Sequence, residues 1–210
     1  MQIKIFEGFK DFAKAFEEEE NKDVSGTVQE ILASVLKNGD VALCEYTERF
    51  DQVVPESWLV PKSALEEALE GLDHDLFHIL EEAADNIMYF HDRQKTDSQL
   101  DFSPDGTVLG WKVTPVDSVG IYIPGGRAVY PSTLLMNVIP AQVAGVSRIA
   151  MVSPPGLSGL PHQLVMASAA LMGLEELYAV GGAQSIGALA YGTESIQKVV
   201  KITGPGNAFV

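Results

Sequence analysis

The second half of the chain alternates short runs rich in β-branched residues with helical stretches, and a turn rich in glycine or proline follows each run. The runs are SVGIYI, RIAMVS, LYAV and VVKIT at residues 118–123, 148–153, 177–180 and 199–203, with helices predicted at 130–144, 160–172 and 183–191. Strands and helices that alternate over such short connections favour a mainly parallel sheet, with right-handed crossovers and helices on its faces. We therefore predict an α/β fold for residues 118–210.

The first half, residues 1–117, is predicted to be largely helical. Apolar residues recur at helical spacing, which predicts five helices. The first contains Phe9, Phe12, Ala13 and Phe16, and the second runs from an N-cap at Ser25 to a stop at Gly39. The third begins at Asp40 and extends through Phe50, and the last two cover 62–72 and 73–91. Residues 98–107 are polar and contain Pro104 and Gly106, which predicts a turn, and 108–116 look extended. A boundary at residue 117 divides the chain into two regions.

Charge is distributed along the same division. Residues 1–105 contain 25 acidic and 9 basic side chains, whereas residues 106–210 contain 4 and 5, so the first half is interpreted as acidic, solvated helix faces. The net charge of −15 argues against a nucleic-acid partner, since phosphate binding needs clustered basic residues. The sequence has no apolar run that would span a membrane and no signal peptide, which predicts a cytoplasmic protein. The single cysteine, Cys44, excludes an internal disulfide and is expected in a helical core position.

The turns that follow the predicted strands are expected to meet at one edge of the sheet. They are the segments 124–126, 154–156, 181–182 and 204–206. Ligands of such sheets bind beyond the carboxyl ends of the strands, and a helix that begins there favours phosphate. The segments do not contain the dinucleotide fingerprint G-x-G-x-x-G. They predict an anionic or nucleotide ligand, and the alternative is that the glycines only make tight turns.

Four residues at this edge have the chemistry to orient a ligand. Tyr122 offers a phenol, Gln184 and Asn207 each offer a carboxamide donor and acceptor, and Arg127 could meet a phosphate. The alternatives are an ordinary strand aromatic for Tyr122, a helix cap for Gln184, a turn residue for Asn207 and a solvated turn side chain for Arg127.

Histidine residues give weaker signals. His74 and His78 are four residues apart on a predicted helix, which is metal-ligand spacing, but no third ligand is in register and a metal site is not expected. His91 ends that helix and is interpreted as a partner of the helix dipole or a packing residue rather than a catalytic base. His162 is isolated. The sequence contains neither H-E-x-x-H nor G-x-S-x-G, so no catalytic residue is assigned.

Long strings of the sequence resemble histidinol dehydrogenase. They are SVGIYIPGGRAVYPSTLLMNVIPAQVAGV, VGGAQSIGALAYGTESI, KITGPGNAFV, EYTERFD and FHDRQ. The resemblance implies an incomplete Rossmann-like domain, without the glycine fingerprint, at 118–210. It also implies NAD-dependent oxidation of L-histidinol to L-histidine through L-histidinaldehyde, by a zinc-containing homodimer. Tyr122, Gln184 and Asn207 match the family positions that contact NAD.

The resemblance covers the N-terminal half of the family only. The family's glutamate–histidine acid–base pair, its zinc ligands and most histidinol contacts follow GPGNAFV, and so does the part that completes the domain begun by residues 1–117. This chain is therefore expected to be an N-terminal portion that is inactive alone. Two alternatives are a non-catalytic nucleotide-binding protein derived from the family and an unrelated acyl- or phosphate-binding α/β enzyme.

Overall fold

The structure, a computed structural model, describes residues 24–125 and 129–210. Its elements are α1 Ser25–Asn38, α2 Asp40–Asp51, α3 Lys62–Glu70, α4 His74–Asp92, β1 Gln99–Phe102, β2 Val108–Trp111, β3 Ser118–Tyr122, α5 Pro131–Ala144, β4 Arg148–Ser153, α6 Gln163–Leu171, β5 Glu176–Ala179, α7 Gly182–Tyr191 and β6 Lys201–Thr203. The predicted helix that contains Phe9 and Phe16 lies outside the described residues. Among the helices described, none is long and apolar enough to cross a membrane.

Four parallel strands form the central sheet, in the order β5-β4-β3-β6. The chain enters this sheet at β3, continues outward through β4 and β5, and then returns to place β6 on the other side of β3. The order therefore reverses between β3 and β6. In open parallel sheets such a switch point opens a crevice at the carboxyl ends of the strands, where ligands bind.

Helices cover both faces of the sheet. On one face α5 and α6 lie on the strands, with α4 packed on α5 and α3 packed on α6. On the other face α7 lies on the strands, and α1 and α2 pack on it. The predicted parallel sheet with helices on both faces, preceded by a helical region, is confirmed. The division of the chain at residue 117 stays a prediction.

Glycine and aspartate set the helix boundaries near the start of the described chain. Gly39, predicted as a stop, ends α1 with a φ of 53° and donates its backbone N–H to the carbonyl of Val35. Asp73 caps α4 by accepting hydrogen bonds from two backbone amides of the first turn. The prediction of Ser25 as an N-cap is wrong. The Val24 carbonyl already accepts the backbone N–H of Val28, so the helix starts one residue earlier and Ser25 is its first residue.

A β-hairpin replaces part of the turn that the sequence predicted at residues 98–107. β1 pairs antiparallel with β2, and the reversal is confined to residues 103–106, where the Gly106 amide donates to the carbonyl of Ser103. Every residue of both strands is exposed. The polar run was interpreted as a loop because an exposed strand lacks the apolar periodicity that marks a buried one. The extended segment predicted at 108–116 is a strand only as far as Trp111.

Candidate functional site

A cavity of about 640 Å³ opens at the carboxyl edge of the sheet. Residues that follow β3, β4 and β6 line it together with the first turn of α7 and parts of α1 and α2. Tyr122, Gln184 and Asn207, which the sequence singled out, all lie in this lining. Arg127 lies outside the described residues. The topology brings these three side chains together because parallel strands end at a common edge.

Gln184 has the least satisfied polar side chain of this cavity. The residue is 1% exposed, and neither its Oε1 nor its Nε2 atom has a hydrogen-bond partner within the described parts of the chain. An unpaired buried amide costs about 1–3 kcal/mol. The fold makes room for it through Gly182, which has a φ of 63° and whose missing Cβ would lie 2.7 Å from Oε1. The arrangement provides one donor and one acceptor for a ligand in the cavity.

Tyr122 ends β3 and is 5% exposed. Burial raises the pKa of its phenol, a hydrogen bond from the Gly182 backbone amide lowers it, and the charge of Asp51 raises it again. The phenol is therefore protonated at neutral pH and can both donate and accept. Gly204, with a φ of 133°, lets the segment after β6 lie against this residue, since a Cβ there would overlap the Tyr122 carbonyl. The close approach of β3 and the loop after β6 therefore depends on glycine at this position.

Asn207 lies in the loop after β6. Its Oδ1 accepts the backbone N–H of Phe209 at 2.9 Å, and its own carbonyl accepts the N–H of Val210 at 3.0 Å. The residue is thus a turn residue, as one interpretation of the sequence had it. Its carboxamide NH₂ makes no hydrogen bond to any other described residue and remains available as a donor at the cavity.

Asp51 is a residue of the cavity lining that the sequence did not single out. It is the last residue of α2 and is partly buried, and desolvation raises the pKa of its carboxyl group. The residue is the last of the string EYTERFD, which indicates the family resemblance but no role in a site. A usable signal was available, because an acidic residue in the last turn of a helix opposes the helix dipole.

The start of α2 is attached to the loop that follows α7. The Asp40 backbone amide donates to Oε2 of Glu194 at 2.8 Å, and the Ser195 hydroxyl donates to Oδ2 of Asp40. The Glu194 carboxylate also lies where a Cβ on Gly39 would be, and the φ of 53° at this position favours glycine. The start of α2 is therefore hydrogen-bonded to the loop after α7, and α2 also packs on α7 itself.

The first turn of α7 adds backbone amides to the side chains described above. Gly181 and Gly182 lead into this helix at the carboxyl end of β5, and Gly181 packs so closely on Pro154 that no side chain fits between them. The Gly182 amide donates to Tyr122, whereas the amides that follow it and the positive end of the helix dipole make such a turn suited to an anion. The cavity can therefore hold a ligand that carries a phosphate beside groups that hydrogen-bond with a carboxamide, a phenol and a carboxylate.

The histidines lie elsewhere. His91 lines a second cavity of about 490 Å³ that shares no lining residue with the first. Its Nδ1 lies 2.7 Å from Oε1 of Gln94, and its Nε2 is buried without a partner among the residues described. The Nε2 atoms of His74 and His78 are 3.3 Å apart. Within 24–125 and 129–210, no group of three or more His, Cys, Asp or Glu side chains is arranged to hold a metal ion.

The strand order, the switch point and the cavity at its edge define an α/β protein whose candidate ligand site lies at the carboxyl ends of a parallel sheet. The family model described as histidinol dehydrogenase matches residues 14–210. The chain belongs to the histidinol dehydrogenase family, which confirms the resemblance seen in its motifs. The members of this family are oxidoreductases.

Individual relatives agree with this assignment. The chain is 51% identical over 184 residues to histidinol dehydrogenase of Bacillus subtilis, covering 88% of this chain and 43% of that protein. It is 44% identical over 209 residues to the Dechloromonas aromatica enzyme, covering 98% and 48%. The crystal structure of histidinol dehydrogenase from Elizabethkingia anophelis superposes with a TM-score of 0.86 at 34% identity, covering 91% of this chain and 44% of that one. The chain thus spans less than half the length of these relatives.

Proposed function

We propose that this chain supplies the NAD-binding part of a histidinol dehydrogenase, which oxidises L-histidinol to L-histidine through L-histidinaldehyde. The observation that carries the proposal is the buried carboxamide of Gln184, which has no partner among the described residues and lies in a cavity shared with Tyr122 and Asn207. A polar group with this exposure is normally satisfied. A ligand with both a donor and an acceptor would satisfy it.

The described residues suit a dinucleotide. The amide-rich start of α7 would receive the pyrophosphate, as helix N-termini do in other dinucleotide sites. The Gln184 carboxamide would fix the orientation of the bound molecule, while the protonated phenol of Tyr122 and the NH₂ of Asn207 would donate hydrogen bonds to it. Bound NAD would supply the hydride acceptor for the oxidation.

Zinc is assigned no ligands in this chain. The family resemblance implies a zinc-containing homodimer, but the residues that the structure describes offer no set of three metal-ligating side chains. Histidinol as substrate and the homodimer remain proposals that rest on the family alone.

The experiment is a calorimetric titration of the 210-residue chain with NAD, for the wild type and for Gln184→Ala. We expect saturable binding that weakens about tenfold in the variant, because a hydrogen-bonded carboxamide contributes about 1–1.5 kcal/mol. Gln163→Ala is the matched control, since Gln163 is an exposed glutamine at the start of α6, outside the cavity. Absence of NAD binding by the wild type, or equal affinities of wild type and Gln184→Ala, would contradict the proposal.

A further inference from the structure

Asp51 occupies an electrostatically unfavourable position for which the described residues offer no compensation. The carbonyl end of a helix carries a partial negative charge, which disfavours a carboxylate there. Asp51 is also partly buried, and neither an ion pair nor a hydrogen bond to its side chain is found in the described ranges. A desolvated carboxylate is normally paired with a donor. Since it lines the cavity, a ligand is the natural source of that donor.

The neighbouring arginine does not neutralise this carboxylate. Arg49 lines the same cavity, but its guanidinium lies over the ring of Phe50, 5.4 Å from the ring centre, and makes no ion pair with Asp51. Arg49 is exposed, whereas Asp51 is partly buried, so solvent screens the arginine more strongly. The wall of the cavity around Asp51 therefore repels a phosphate and attracts hydroxyl donors.

Asp51 is the one carboxylate among the described residues that line this cavity. In doubly wound dinucleotide sites, an acidic residue near the end of the second strand binds the ribose hydroxyls, whereas an arginine there accommodates a 2′-phosphate. At the carboxyl end of β4 stand Ser153, Pro154 and Pro155. None of these carries a charge. α2 brings Asp51 to the same cavity instead, close enough for its charge to act on Tyr122.

We infer that Asp51 determines which dinucleotide this site accepts: its carboxylate receives hydrogen bonds from the adenosine ribose hydroxyls of NAD and excludes the 2′-phosphate of NADP. The inference rests on the proposed function, because it assigns a specificity role within that binding site. Asp51 would distinguish NAD from NADP, whereas Tyr122, Gln184 and Asn207 would bind the part of the molecule that is the same in both.

The test measures the affinities of the 210-residue chain for NAD and for NADP by calorimetry. For the wild type we expect NADP to bind at least about 100-fold more weakly, since the Asp51 carboxylate and the 2′-phosphate are like charges a few ångströms apart in a partly buried place. Asp51→Asn keeps the shape of the side chain and removes its charge. It should reduce the ratio of NAD affinity to NADP affinity about tenfold or more. Asp51→Glu keeps the charge and should still reject NADP.

Glu48→Gln is the control for a general change in charge, because Glu48 is an exposed acid one turn earlier on α2 and is absent from the cavity lining. It should leave the NAD preference unchanged. An unchanged preference in Asp51→Asn, with NAD still bound, would overturn this inference and leave the proposed function intact. Loss of histidinol affinity in that variant without a change in the NAD preference would equally overturn it. A wild-type chain that binds neither dinucleotide would overturn both proposals.

Discussion

The two β-structures of this chain have opposite surroundings. Each of the five residues of β3 is buried, whereas all eight residues of the β1–β2 hairpin are exposed. β3 pairs with a strand on each side and is covered by helices on both faces, while among residues 24–125 and 129–210 the hairpin strands pair only with each other. Two-stranded hairpins are marginal in isolation, since they bury little apolar surface. The difference shows that strand geometry alone says little about where a fold is stabilised.

The comparison predicts its largest effect at the centre of β3. Ile121 is fully buried, so Ile121→Ala should lower the free energy of unfolding by about 2–5 kcal/mol through lost burial and the cavity left behind. Chemical denaturation followed by circular dichroism measures this. A loss below about 1 kcal/mol would mean that β3 is not part of the stabilising core.

A smaller effect is expected where β4 and β5 begin. Arg148 pairs with Glu176 at 2.7 Å and donates to the carbonyls of Gln197 and Lys198, each at 3.1 Å, so it joins two strands to the segment before β6. Arg148→Met should cost about 1–3 kcal/mol, because these acceptors lose their donor in a partly buried place.

Lys62→Met provides the control for that variant. The exposed pair of Lys62 and Glu66 is 3.9 Å apart, and removing an exposed pair should cost under about 1 kcal/mol. If both variants gave equal losses in the same denaturation experiment, the network around Arg148 would have no special role in the sheet.

Asp51→Asn should act in the opposite direction and raise stability at pH 7. The folded-state pKa of Asp51 is raised by desolvation, so the charged form opposes folding. That penalty is absent below the unfolded pKa of about 3.9 and is fully present above the folded pKa. The variant should gain about 0.3–1 kcal/mol at pH 7, the usual size of a helix-dipole effect, and nothing at pH 3. Denaturant midpoints at the two pH values measure it, and a gain that persists at pH 3 would contradict the explanation.

The smallest effect belongs to the hairpin. Leu109 is 67% exposed, so Leu109→Ser should change stability by less than about 0.5 kcal/mol. Hydrogen exchange adds a direct comparison, since the amides of β2 should exchange much faster than those of β3. Equal protection of the two strands would show that the hairpin is as firmly held as the sheet.

The sequence revealed the buried part of the fold better than the exposed part. Strands such as β3 and β4 are apolar runs between glycine- or proline-rich turns, and burial is what produces that pattern. The hairpin strand QLDF has no such pattern, because no core selects its side chains. Ser25 shows a second limit: a residue type favoured at N-caps does not determine which carbonyl accepts the first helical hydrogen bond, and Val24 takes that place.

The candidate site was likewise predictable where strand ends determine it. Tyr122, Gln184 and Asn207 follow strands that share one edge, so topology alone brings them to one cavity. Asp51 could not be placed by that reasoning, since it reaches the cavity from a helix that precedes the sheet by more than sixty residues. Its position depends on how α2 packs on α7, which is a tertiary contact that no local pattern encodes.

The hydrogen bond from the start of α2 to Glu194 lies at the opposite end of the helix from Asp51. α2 is about 16–18 Å long. At its start the Asp40 amide donates to the Glu194 carboxylate, and at its end the Asp51 side chain lines the cavity. Glu194 follows the same helix whose first turn presents Gln184. Glu194 is absent from the described cavity lining, yet it contacts the helix that carries Asp51 there, so a substitution of Glu194 should weaken dinucleotide binding from the opposite end of that helix.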